Sequence, residues 1–165
     1  MKNLTPLVKG LITGIVMVAF NLFSVYILPA HSSLGYLMYL IYASGIAWTL
    51  FDFSKSPNYT GKFKELFGQG FRCFIVVTLM MVIYSIIFVT AHPEMKEEYA
   101  VYAREELVKQ KNKTPAEIGE GVKNARNQFI TVTASQYLFG YLIPGIIFTV
   151  GGAALFIQLR NKSWT

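Results

Sequence analysis

From Phe74 to Ala91 the chain carries no charged side chain. A helix needs about 20 mainly apolar residues to cross roughly 30 Å of hydrocarbon, and this run, extended back to Phe71, predicts a span over about 71–91. Three further stretches have the same character. The first, about 7–28, is interrupted only by Lys9 near its start and Asn21 deep inside. The second, about 34–53, has Trp48 towards its far end and Asp52 at its exit. The last, about 137–159, contains Gly140, Pro144-Gly145 and Gly151-Gly152.

The composition fits that pattern. Hydrophobic residues make up 53% of the chain and charged residues only 15%, against about a quarter charged in a typical soluble domain. The mean hydropathy is +0.42. The expected class is an all-α integral membrane protein with four transmembrane helices, forming one membrane domain over 1–165. The first stretch is too long for the 7–15-residue core of a secretory signal, and Leu28-Pro29-Ala30 is a poor cleavage site, so the expectation is an uncleaved span.

The net charge of +6 would raise nucleic acid as a partner in a soluble protein. Here the excess lies beside the spans, where Lys and Arg follow topology and anionic lipid headgroups. Lys9, Lys62, Lys64, Arg72, Arg160 and Lys162 are therefore expected at the lipid interface, and no nucleic-acid motif is present. The single cysteine, Cys73, leaves no internal disulfide possible and reads as a small packing residue.

Between the second and third spans, Phe63, Leu66, Phe67, Gly70 and Phe71 recur at helical spacing, with Lys62, Glu65, Gln69 and Arg72 on the opposite face. Two readings fit. One is an amphipathic helix lying at the interface and bending at Gly68 and Gly70. The other is the first turns of a long helix that continues into the third span.

After Ala91 the chain becomes dense in charge. Pro93 suits a helix start, with Glu94, Glu97 and Glu98 near the helix N-terminus, and a helix is expected over Pro93–Lys111. Thr114-Pro115-Ala116-Glu117 is a capping box. From it Ile118, Val122, Ala125, Phe129 and Val132 form one apolar stripe, with Lys123 and Arg126 turned to water. The seven acids and seven bases of this segment balance, which supports a solvated helix pair. An extramembrane charged helical hairpin is expected over about 93–130, between the third and fourth spans.

Orientation follows from the basic residues. The N-terminus, the 52–70 connection and the C-terminus are basic, whereas the Pro29–Ser33 turn has no Lys or Arg. The positive-inside rule then places both termini in the cytoplasm and the hairpin outside.

Chemistry is less legible. His31, His92, Glu94 and Glu98 are weak candidates for a divalent metal, because no established ligand spacing accompanies them. No Asp, Glu, Lys or His falls in the middle of any span, which argues against an ion-coupled pump. Pro144-Gly145 should kink the fourth span, and a substrate site at that kink is one alternative. Gly10 and Gly14 form a GxxxG, and Gly151 and Gly152 offer a second flat face for helix packing, within the chain or in a homo-oligomer. Nothing nominates a catalytic residue or a cofactor.

The layout resembles the DUF4199 family of small bacterial membrane proteins, found chiefly in Bacteroidota. The resemblance covers nearly the full chain. It rests on two spans, a Gly61-x-Phe63-x-x-x-Phe67-x-x-Gly70-Phe71 lead-in to the third, a Pro93-Glu94 exit, a charged helical excursion and a last span. It implies an inner-membrane location and carries no assigned activity. The functional expectation is an accessory or interaction protein working through its hairpin. A small transporter or lipid-handling protein using the kinked fourth span is the alternative.

Overall fold

The structure, a computed structural model, describes residues 4–27, 35–110 and 112–162. Among them all regular structure is helical: α1 (Pro6–Ile27), α2 (Gly35–Ser54), α3 (Phe63–Ala91), α4 (Pro93–Lys109) and α5 (Pro115–Lys162). Helices α1, α2, α3 and α5 are long and apolar enough to cross a membrane. The Pro29–Ser33 turn, with His31, lies outside the described residues.

Two continuities exceed what residue patterns predict. Helix α3 begins at Phe63, so the aromatic lead-in and the third span are one helix of 29 residues. This is the second of the two readings given above. Glycine within a helix costs only about 1 kcal/mol relative to alanine, and Gly70 lies buried where a side chain would strike Thr149 and Leu50. Helix α5 likewise joins the expected second hairpin helix to the fourth span, in 48 residues that run through Pro144.

The chain divides into two compact units, Met1–Met81 with Leu138–Thr165, and Val82–Tyr137. In the first, α1 lies against α3 through its glycines. A Cβ on Gly10 would sit 2.6 Å from the Cys73 carbonyl oxygen, and one on Gly14 would sit 2.6 Å from the Met80 sulfur. Gly45 of α2 makes room for Thr13 of α1 in the same way. Met17, Tyr42, Ile46, Leu50, Leu66 and Phe74 fill the interior. The outer faces are apolar too: Leu7, Leu11, Ile15 and Val16 of α1 and Ile143, Ile147 and Val150 of α5 are exposed. Only 22% of the apolar window of α1 is buried. Apolar surface on that scale calls for an apolar surrounding.

In the second unit, α4 packs along the first half of α5. The Tyr99 and Phe129 rings lie 5.3 Å apart, Glu97 pairs with Arg126 at 2.5 Å, and Leu107 covers Gly121. All five positions of the stripe from Ile118 to Val132 are buried or half-buried. The capping box forms as a reciprocal pair. Thr114 donates its N–H to the Glu117 carboxylate at 2.7 Å, and the Glu117 N–H returns to Thr114 Oγ1 at 3.3 Å.

Candidate functional site

A polar cluster at one end of the apolar helices is built around Lys9. The side chain sits in the first turn of α1 and is only 3% exposed. Its ammonium meets Asp52 Oδ2, near the end of α2, at 2.5 Å, and stands 5.3 Å from the Trp48 ring centroid. Antiparallel neighbours bring the start of α1 and the end of α2 together at one end of the unit. The apolar helix bodies then leave the ammonium few partners other than that carboxylate.

The surrounding hydroxyls are turned to their own helices. Thr13 donates to the Lys9 carbonyl at 2.8 Å and Thr49 to the Gly45 carbonyl at 3.0 Å. These back-bonds are the usual way a span hides a hydroxyl. A small cavity of about 70 Å³ opens beside the ion pair, lined by Leu4, Pro6, Lys9, Thr49, Asp52, Phe53, Ser56 and Gln69. Lys9 is 3% exposed and Asp52 38% exposed, and the cavity reaches both partners. That arrangement can bind a polar group.

The turn leading into α3 helps to frame this end. Gly61 adopts φ 92°, a left-handed conformation that suits glycine. Glu65 then accepts from the Thr60 N–H at 2.9 Å and from the Thr60 hydroxyl at 2.6 Å, closing the turn. Tyr59 is buried against Phe53, ring centroids 5.7 Å apart.

A second polar contact lies deeper. The Tyr42 hydroxyl donates to the Tyr141 carbonyl at 3.1 Å and lies 3.4 Å from Thr78 Oγ1. The Tyr42 and Tyr141 rings meet edge to face at 5.6 Å. Gly145 presses against the Tyr42 hydroxyl and the Phe74 ring.

The sequence-derived candidates scatter around these two contacts. Lys9 is buried and paired, not extended as an anchor, whereas Lys62, Lys64 and Arg72 are exposed. Arg160 and Lys162 fall in the last turns of α5, and their side chains lie outside the described ones. Gly10, Gly14 and Gly152 each face another helix closely, and Gly151 has nothing within 4 Å of its Cβ position. The ring of His92 stacks on Phe88 with centroids 4.3 Å apart, and its Nδ1 lies 2.8 Å from the Phe88 carbonyl. Among the described residues no three His, Cys, Asp or Glu side chains gather as a metal site, so His92, Glu94 and Glu98 are not brought together as ligands. Asp52 and Gln69 entered the sequence reading only as a span exit and part of a polar helix face, and Tyr42 not at all. The one usable signal was an acid at a span exit facing a base at a span start.

The fold thus defines an all-helical protein whose four long apolar helices have the character of a multi-pass membrane protein. The chain belongs to the DUF4199 family, proteins of unknown function, whose family model matches residues 9–157. No curated protein and no solved structure matches the chain.

Proposed function

We propose that this is an accessory protein of the bacterial inner membrane. It crosses the bilayer four times with both termini cytoplasmic, and presents α4 with the first half of α5 as a periplasmic helical hairpin to another protein. One observation carries the reading. On α4, Val101, Tyr102 and Val108 are exposed amid a field of charge, while the opposite side of the helix packs on α5. A helix pair already stabilised by its own stripe needs no such side chains on its outer face, and exposed aromatic and aliphatic groups ringed by charge are the make-up of a protein contact. Exposed Lys62, Lys64 and Arg72 support contact with anionic headgroups on the cytoplasmic side.

The test is purification of the tagged full chain in mild detergent, with mass spectrometry of what accompanies it. A stoichiometric partner, lost when Glu97 to Lys123 is replaced by a short linker, is the expected result. A clean homo-oligomer unaffected by that deletion would sink the reading. Orientation is tested with a single cysteine at Lys111 in a Cys73→Ser background: an impermeant maleimide should label it in cells with a permeabilised outer membrane, without lysis of the inner one.

A further inference from the structure

Resting on the reading that α1, α2 and α3 cross the membrane, we propose that the cavity beside Lys9 and Asp52 binds a phosphoethanolamine group. Its phosphate lies toward Lys9 and its primary ammonium toward Asp52.

Three observations lead there. The cavity is walled by a cation that is 3% exposed and an anion that is 38% exposed, 2.5 Å apart. A bare phosphate entering it meets the Asp52 carboxylate, and a bare cation meets the Lys9 ammonium. A zwitterion satisfies both.

Among the described residues, the hydrogen-bonding capacity of the wall is only partly used. An ammonium has three N–H donors and a carboxylate two acceptor oxygens; Asp52 Oδ2 and the Trp48 ring take up part of the Lys9 ammonium. Gln69 and Ser56 add an amide and a hydroxyl to the same wall.

Finally, the volume and place fit. About 70 Å³ is several times the roughly 10–15 Å³ that one water requires, so the cavity takes a charged end group, not a whole lipid. It lies where α1 begins and α2 ends, which is headgroup depth for helices that cross a bilayer. Leu4, Pro6 and Phe53 supply an apolar rim for whatever carries the group.

The experiment is native mass spectrometry of the detergent-purified full chain, supplied with equimolar phosphatidylethanolamine, phosphatidylglycerol and phosphatidylcholine. The unaltered chain should retain phosphatidylethanolamine preferentially, because a quaternary choline has no N–H to give Asp52 and phosphatidylglycerol has no cation. In Lys9→Met/Asp52→Leu that preference should fall at least about tenfold, the size of one charge-assisted hydrogen bond lost. If the double variant fails to fold, Gln69→Leu leaves the ion pair intact and should weaken retention several-fold by itself. Equal retention of the three lipids, a preference for phosphatidylglycerol, or a preference that survives in the folded variants would overturn the proposal. Soluble phosphoethanolamine, added as competitor, separates the sources. Displacement of the lipid means the headgroup chemistry suffices, whereas persistence means the apolar rim selects the lipid. Carbonate extraction of the same membranes reports insertion independently, so failure of the membrane reading shows as an extracted chain whatever the binding result.

Discussion

Tyr42 donates its hydroxyl to the main-chain carbonyl of Tyr141, within the turn that Pro144 interrupts. Proline brings no N–H to its helix, and its ring pushes the preceding carbonyls aside. The carbonyl that loses its helical donor is that of Gly140, four residues before Pro144. The Tyr42 bond reaches the next carbonyl along, that of Tyr141, and ties α2 to α5 within the interrupted turn. Tyr42→Phe keeps the ring and its edge-to-face contact but removes the donor. Its expected cost is about 0.5–1.5 kcal/mol, read as a lowered unfolding midpoint in detergent. Thr78→Val should cost less, because its contact with the Tyr42 hydroxyl is the longer one at 3.4 Å. Equal stability of Tyr42→Phe and the parent chain would remove the role given to this bond.

The glycines of α5 and α1 should sort by what a methyl would meet. Gly145→Ala drives a Cβ into the Tyr42 hydroxyl and to 2.8 Å from the Phe74 ring, an overpacking worth about 1–3 kcal/mol. Gly10→Ala meets the Cys73 carbonyl at 2.6 Å, a backbone atom that yields poorly. Gly140→Ala and Gly151→Ala meet nothing within 4 Å and should be neutral or gain up to about 1 kcal/mol from helix propensity. Thermal unfolding of the four variants side by side checks the order.

The ion pair should respond asymmetrically. Asp52→Leu strands an ammonium that is 3% exposed, whereas Lys9→Met strands a carboxylate that is 38% exposed and can reach water. Stranding a buried charge costs about 3–5 kcal/mol, whereas replacing both partners with apolar groups is often neutral. Asp52→Leu should therefore be the more damaging single change, and Lys9→Met/Asp52→Leu should recover most of the loss. Folded yield after detergent extraction would show the ranking, and a double variant worse than either single would contradict it.

At the start of α5 the Thr114 N–H and hydroxyl hold the exposed Glu117 carboxyl below its ordinary value of 4.5. A depressed folded value means this cap stabilises the helix above the ordinary carboxylate range and is lost as pH falls through the folded value. Amide exchange over the first turn of α5 should thus speed up on acidification, relative to the middle of the helix. Glu117→Gln should flatten that dependence, and an unchanged profile would show that the cap does not govern the end of the helix.

How far the residues foretold this fold depends on the range of the signal. Hydropathy located all four apolar helices, because span length is a local property. The stripe Ile118–Val122–Ala125–Phe129–Val132 located the face that packs against α4, because period 3.6 is also local. The continuity of α3 and α5 was masked by changes of composition. Polar-to-apolar switches near Phe71 and Tyr137 look like boundaries, yet the backbone hydrogen bonds run through them. The site was least legible. Lys9 and Asp52 stand 43 positions apart, and Tyr42 and Tyr141 stand 99 apart. Only the packing of whole helices brings such pairs together, and no periodicity records it.

That same separation has a meaning in time. A ribosome working at about 5–20 residues per second makes Lys9 roughly 2–9 s before the Asp52 that lies 43 residues later. For that interval the first helix is an apolar segment carrying an unneutralised charge. Its ion pair closes only when the second helix arrives. The birth order of the chain thus couples the settling of α1 to the completion of α2.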